Sequence, residues 1–288
     1  MGVENFKPTI WSAKLFTRLR KAHVYAGLCN QDYSGEITPG GSVKINEIGP
    51  ISVSSYTMHS DITYAALTSG QKTLMIDQQK YFAFEIDSIE RVQSKPDLMN
   101  GAMDEAAYAV SDTVDQFIAS KYTEAAALDT TNLGTSATAV TIYSSTGNAM
   151  TVLSYMSRVL TEKNVPQAGR WVVVPPWFAQ KLMIAITGAG SLTAVPKVMP
   201  SGVIVDGYIG SYWGFEVFLS NNVAIPTGTT YAIMFGNQSA MSYAGQIAQI
   251  EALRHPYRFS DAVRGLYVYG AKVVRPDALG VAYLTEGA

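Results

Sequence analysis

The sequence predicts an α+β fold in which a long β-ribbon precedes one long helix, a compact mixed middle and a set of returning strands. Three observations carry this. Two β-rich runs, GGSVKINEIGPISVSSY (Gly40 to Tyr56) and QKTLMIDQQKYFAFEIDSIE (Gln71 to Glu90), are separated only by TMHSDITYAALTSG. At Lys95-Pro96 the alternation stops and a helical pattern begins. The tail from Gly245 onward reads as strands broken by turns at His255-Pro256 and Arg275-Pro276.

Composition supports a buried core. Of the 288 residues 48% are hydrophobic, enough for one large domain or two modest ones. The net charge of −2 excludes the strongly basic footprint of a dedicated nucleic-acid binder. The charge is uneven, however. Lys7, Lys14, Arg18, Arg20 and Lys21 face only Glu4 across residues 1 to 28, whereas the stretch from Asp97 to Asp115 is acidic. That asymmetry suits segments or subunits that meet each other, or a basic arm near a polyanion; a solvated amphipathic helix is the plainer alternative for the arm alone. Cys29 is the only cysteine, so no internal disulfide forms and a reducing compartment fits. The opening MGVENFKPTIWSAKLF has no apolar core of a secretory signal. The most apolar window, WVVVPPWFAQKLMIAIT, contains Pro175-Pro176 and Gln180-Lys181 and falls short of a membrane span.

The elements follow in order. From Thr9 to Tyr25, Ile10, Leu15, Leu19 and Ala22 give a weak helical signal in a basic arm. In the second β-rich run Tyr81, Ala83 and Glu85 face one way and Phe82, Phe84 and Ile86 the other, so neither face is cleanly polar. Read as one hairpin with arms of roughly 16 to 20 residues, the ribbon would reach on the order of 55 Å. A lone two-stranded ribbon is marginal in water and ordering it costs about 1 to 2 kcal/mol per residue. Contacts from outside the ribbon must therefore hold it.

Pro96 suits the first turn of a helix, and Asp97, Asp104 and Glu105 lie toward its positive end. Met99, Met103, Ala106, Val110, Val114 and Phe117 then draw one apolar stripe along a rod predicted to reach about Ala127. A small-residue connector follows, then a helix from Ala149 to Lys163, the buried-strand pattern RWVVVPP, and a helix from about Trp177 to Ile186. Strands in SGVIVDGYIGSYWGFEVFLSNNV and TYAIMFGNQSAMSYA complete the middle, and RGLYVYGAKVV reads as central in a sheet.

Chemistry is scarce along this chain. His23, His59 and His255 lie in an arm, a loop and a turn, with no spacing for a metal cluster or a base and nucleophile pair. The GAGS at Gly188 to Ser191 follows a helix rather than a strand, so it reads as a surface loop and not a phosphate cradle. Carboxylate neighbours such as Asp104 with Glu105, or Glu85 with Asp87, sit on a helix face and a ribbon face and suggest no general acid. The expectation is a chain without catalytic residues, cofactor or metal.

The order of elements, from basic arm to ribbon, rod helix, α+β middle and returning strands, resembles the major capsid protein of a tailed bacteriophage with the Hong Kong 97-type shell fold. RWVVVPPWFAQKLM resembles the centre of that family's axial domain, GSYWGFEVFLSNNV its Gly-Phe-x-Val strand, and AQIEALRHPYRFSDAVRGLYVYGAKVVRPDALGV the strands that close its peripheral domain. The resemblance implies an N-terminal arm over residues 1–35, an extended loop over 36–92, a spine helix over 93–128, an axial domain over 129–243 and returning peripheral strands over 244–288. It implies self-assembly into pentamers and hexamers of an icosahedral virion head, with a separate scaffolding protein and a portal protein. Double-stranded DNA would be held inside without sequence specificity, any decoration would come from another protein, and no membrane is involved. Synthesis would take place in the cytoplasm of a bacterial host.

On that reading the assembly contacts are expected at Arg18, Arg20 and Lys21 of the arm, at His59, Asp61 and Tyr64 near the ribbon tip, and at Tyr81, Phe82 and Phe84 of the return strand. Some relatives crosslink a Lys to an Asn; Lys44, Lys72 and Lys80 lie in the ribbon, but no local Asn or Glu partner is identified and no crosslink is assigned. An encapsulin-like shell holding a cargo enzyme shares the same fold and is the alternative, followed by an oligomeric enzyme of unknown class.

Overall fold

A computed structural model describes residues 24–32, 41–49, 69–87, 98–143, 148–188, 208–254 and 260–287, with the single positions 51, 53, 55, 56, 58, 59, 61, 64 and 66. Arg18, Arg20, Lys21, His23, Pro96, the Ala189 to Ser191 part of the Gly-rich loop and the His255-Pro256 turn lie outside these residues.

Within them the chain runs through a short helix α1 (Tyr25–Leu28), strands β1 (Ser42–Ile48), β2 (Ser69–Met75) and β3 (Gln78–Asp87), and the long helix α2 (Leu98–Ala119). Then come β4 (Val140–Ile142), α3 (Asn148–Glu162), β5 (Arg170–Val174), α4 (Pro176–Gly188), β6 (Tyr208–Tyr212), β7 (Phe215–Leu219) and β8 (Ala224–Thr227). Strands β9 (Thr230–Asn237), β10 (Met241–Arg254), β11 (Ser260–Val273) and β12 (Leu279–Glu286) complete the order.

The ribbon differs from its sequence reading. Strands β1 and β2 do pair antiparallel, Ser42 opposite Met75 and Ile48 opposite Ser69. The run that continues through Tyr81, however, breaks at Ile76-Asp77, and β3 pairs with β11, Gln78 opposite Tyr269 and Asp87 opposite Ser260. Among the described residues each paired ribbon strand is therefore seven residues, about 23 Å, and the return run through Tyr81 does not extend it. The physical reason is that alternation specifies a strand but not its partner. The partner of β3 lies far along the chain, beyond the reach of any local pattern.

Strands β10, β11 and β3 form a three-stranded sheet with β11 at its centre, where the aromatic and β-branched content of RGLYVYGAKVV placed it. Its two faces are covered by different elements. On one, Val263, Tyr267, Tyr269 and Met241 join the main core under α2, with Phe117 and Tyr269 edge to face at 5.3 Å. On the other, Val268 and Ala244 pack with Val43, Ile45, Leu74 and Ile76 of the ribbon base. The period of two along β10 and β11 thus supplies one row of side chains to the spine and the next row to the ribbon.

Helix α2 buries Met103, Ala107, Val110, Val114 and Ile118, a stripe at spacings of three and four. It stops at Ala119, short of the expected Ala127, and passes into a 3-10 turn over Ser120–Glu124. Tertiary pairing overrides helix propensity here. The N–H of Ala126 donates to Pro276 O and that of Ala127 to Leu279 O, both at 3.0 Å, drawing the chain alongside β12.

The large sheet has the order β4-β12-β9-β5-β7-β6, with β8 added on β9. Every residue of β5 is buried, as its RWVVV pattern demands. Helix α3 packs on β12 and on α4, turning Val152, Leu153, Met156 and Leu160 inward. Arg170 opens β5 fully buried and holds this corner together. Its guanidinium donates to Val165 O at 2.6 Å, Pro166 O at 2.9 Å, Thr161 Oγ1 at 3.1 Å and Ser157 O at 3.3 Å. Burial lowers the Arg170 pKa, yet oxygens from the end of α3 and the following loop satisfy the group without a carboxylate.

The segment 244–288, expected as one set of peripheral strands, divides between the sheets. Strands β10 and β11 belong to the small one, while β12 crosses to sit between β4 and β9 in the large one. The turn at Pro276–Ala278 makes this crossing.

Candidate assembly surface

Two places stand out once the fold is built: an exposed apolar ribbon and a buried anchor for the segment that follows the basic arm. The ribbon is fixed at its base. The N–H of Ile76 donates to Gly41 O at 3.2 Å, and Lys72 Nζ donates to Val274 O. Gly270 of β11 lies directly under the Met75 carbonyl, where a side-chain Cβ would overlap the carbonyl oxygen. Only glycine lets the two backbones approach this closely.

Beyond the base, Ile51, Val53, Tyr56, Met58 and Tyr64 are exposed, Val53 at 97% and Tyr64 at 94%. Exposed apolar residues this dense exceed ordinary scatter. His59 and Asp61 are exposed alongside them, and His59 has a φ of 68°, a left-handed turn residue at the tip. Tyr81 is 80% exposed on the outer face of β3.

Phe82 and Phe84 lie on the opposite face of β3 from Tyr81 and are half-buried. They stack with ring centroids 6.5 Å apart and pack against the chain's own core. Both stay half-buried, so the chain's own core covers this face only in part: β3 joins β11 and turns Phe82 and Phe84 toward the spine. The sequence showed that this face needed a cover but not that the same chain supplied part of it.

The anchor lies at α1. Asn30 bridges to Ser242 beside β10, with Asn30 N donating to Met241 O at 2.8 Å and Tyr243 N to Asn30 O at 3.0 Å. The backbone N–H groups of Val24, Tyr25 and Ala26 converge on the carboxylate of Asp115 on α2. Asp115 is buried, and its Oδ1 accepts no hydrogen bond. Desolvation pushes its pKa up to about 7, against the lowering effect of the three N–H donors, and Asp112 one turn earlier adds to the rise. Burial likewise pushes the Cys29 thiol up to about 12, so it is an inert, protonated core group. Beside it the hydroxyls of Tyr243 and Tyr267 share a hydrogen bond at 2.7 Å. Sequence reasoning passed over Asp115, although its position one residue after Val114 and three before Ile118 puts a carboxylate at the margin of the apolar stripe.

No comparable constellation for catalysis forms among the described residues. There, no three His, Cys, Asp or Glu side chains gather as metal ligands. An open cleft of about 620 Å³ is lined by Asp129, Asn132, Arg158, Glu162 and Lys163. Arg158 is engaged by Asp129 at 2.6 Å and Glu162 at 3.5 Å, and Lys163 by Asp277 at 3.4 Å. Arg158 thus pairs with Glu162 one turn along α3, while Asp129 and Asp277 tie Arg158 and Lys163 to neighbouring segments, so both cations already meet carboxylates. No helix of the described residues is long and apolar enough to cross a membrane.

Comparison with known proteins adds the following. The family model for phage capsid protein matches residues 71–284. A solved chain from Mycobacterium phage Che8 is 29% identical, with a TM-score of 0.65 over 90% of each chain. The capsid structure of the cyanophage P-SCSP1u is similar at 16% identity and a TM-score of 0.66, covering 93% of this chain and 89% of that one. A virus-like particle from Pyrococcus furiosus is similar at 12% identity and a TM-score of 0.54, covering 97% of this chain and 100% of the other. No curated protein sequence matches the chain.

Proposed function

This chain belongs to the phage capsid protein family and is a structural major capsid protein with the Hong Kong 97-type shell fold, and from that premise we propose that its copies assemble as pentamers and hexamers into an icosahedral head enclosing double-stranded DNA. Its place is the virion and its principal partner is itself. The observation that carries the finer reading is the ribbon: its base is anchored on Gly270 and the small apolar cluster, while Ile51, Val53, Tyr56, Met58 and Tyr64 stay exposed. Surface of this kind is stable in water only when another molecule covers it.

The residue roles follow from that reading. His59, Asp61, Tyr64 and Tyr81 meet neighbouring subunits, and Arg18, Arg20 and Lys21 of the arm take part in the same contacts. Residues 1–35, 36–92, 93–128 and 129–243 serve as arm, extended loop, spine and axial domain, with β12 added to the axial sheet. A separate scaffolding protein and a portal complete the head, and decoration is left to another protein. With a net charge of −2 the chain encloses DNA rather than reading it. It is made in the host cytoplasm and acts as a structural, not a catalytic, component. A cargo-holding encapsulin-like shell is the second reading, supported by the likeness to the Pyrococcus furiosus particle.

The test is coexpression of the full chain with a scaffold from the same genome, followed by electron microscopy. Wild-type chain should form shells. Replacing residues 51–66 by a short Gly turn, or neutralising Arg18, Arg20 and Lys21, should leave the subunit folded by circular dichroism and abolish or derange them. Normal shells from the ribbon deletion refute its role. A wild-type chain that stays a compact monomer at high concentration removes the head reading, and shells purified with a cargo protein and no DNA favour the second one.

A further inference from the structure

The hairpin between β6 and β7 is closed by two residues, Trp213 and Gly214, with Tyr212 paired to Phe215. Both turn residues have positive φ, 50° for Trp213 and 79° for Gly214, the type I′ signature that suits right-twisted strands. Asn-Gly is the favoured pair in this turn. A bulky side chain there crowds its Cβ against the following carbonyl. The chain nevertheless places tryptophan at this point and leaves it 57% exposed. In an isolated subunit the residue is unfavourable twice, through its backbone and through its wetted ring.

Its surroundings extend the same surface. The Tyr212 hydroxyl donates to Met183 Sδ at 3.8 Å, which sets the hairpin beside α4. There Met183 is 48% and Ile184 39% exposed. Lys181, the one charged residue of α4, is buried and donates to Ile142 O and Gly287 O, so it brings no charge to the patch. The patch lies at β6, the edge of the large sheet.

An apolar patch with Lys181 buried and the acidic Glu216 exposed on the same hairpin does not suit DNA, whose binding rests on lysine and arginine at phosphates. A protein surface suits it, since tryptophan is the residue most typical of interface hot spots and local strain persists where it serves a contact. The head reading supplies the partner, because a ring of five or six copies closes through contacts between two different faces of the same chain. We propose that Trp213, on the hairpin whose Tyr212 meets the exposed Met183–Ile184 stretch of α4, is an anchor through which one subunit docks on the next copy within a ring. This rests on the reading of the chain as a head subunit.

Trp213→Asn separates the two terms by opposite signs. The unassembled variant should melt about 2 to 4 °C higher, because the turn loses its strain. The concentration needed to form shells should rise about 30-fold, the effect of losing one hot-spot contact. Trp213→Phe should recover part of the assembly. Ile184→Ser, which leaves the turn untouched, should raise the required concentration in the same direction. Trp213→Asn shells forming at the wild-type concentration overturn the proposal and leave the head reading standing, and so do normal shells that lose only a bound decoration protein. A Trp213→Asn chain that fails to fold refutes the strain argument, and unchanged assembly by Ile184→Ser then refutes the anchor as well. If wild-type chain forms no shell with its scaffold, the head reading itself fails.

Discussion

Replacing Asp115 by asparagine should flatten the pH dependence of subunit stability between about pH 4 and pH 7. In the fold this carboxyl has a pKa of about 7, against 3.8 for an unburied aspartate. The sign follows from linkage: a group whose folded pKa is raised contributes stability that is fully present below the unfolded value and lost as pH rises through the folded value. A difference of about three units, at about 1.4 kcal/mol each, sets a ceiling of about 4 kcal/mol on that loss. Asparagine fills nearly the same volume and keeps an oxygen toward the Val24, Tyr25 and Ala26 N–H groups, but carries no charge at any pH.

The assay is urea unfolding of the unassembled subunit at half-unit steps from pH 5 to pH 8, wild type against Asp115→Asn. Glu124 and Asp129, whose pKa values are lowered, lose their contributions only as pH falls below the ordinary carboxylate range and leave this window clear. Wild type should lose stability as pH rises, by up to about 1.4 kcal/mol per unit from this group, and the variant should lose much less. Parallel profiles for the two proteins would refute a buried, titrating carboxylate at the arm anchor.

Two further substitutions address the frame itself. Arg170→Lys cannot reproduce the fork that serves Val165 O, Pro166 O, Thr161 Oγ1 and Ser157 O, and it should destabilise the subunit by about 2 to 4 kcal/mol in urea unfolding; a loss below 1 kcal/mol would show that water replaces the guanidinium. Gly270→Ala sets a methyl against the Met75 carbonyl, so limited proteolysis should cut the ribbon near residues 50–68 faster while the body stays intact, and an unchanged cleavage rate would show that the ribbon base yields without detaching.

The elements were legible in the sequence to different depths. The α2 stripe, the all-buried β5, the α3 and α4 helices and the central place of β11 follow from periodicity and residue type, because burial against one face writes itself into local spacing. Register and pairing did not. Tyr81 to Ile86 alternates correctly, yet nothing in those residues says that β11 and not the other ribbon strand lies beside them. The same gap explains the assembly surface. Tyr64 and Tyr81 are exposed, whereas Phe82 and Phe84 lie half-buried against their own core, and the alternation that sets Tyr81 apart from Phe82 is silent about which side is inside. The two-residue turn at Trp213-Gly214 was not read from the sequence, because tryptophan is not a residue that marks such a turn; only the paired strands β6 and β7 show it.

By itself the sequence determined that this chain has an α+β body, a spine helix, a single cysteine and an apolar ribbon too weak to stand alone. It determined these because composition and period are local quantities. Tertiary structure decided that the ribbon base rests on Gly270, that residues 24–30 are pinned by Asp115 and β10, that helix α2 yields at Ala119 to the pull of β12, and that β12 crosses between the sheets. Each of those outcomes is a competition between partners distant in sequence, settled by which pairing buries more apolar surface and leaves fewer backbone groups unpaired.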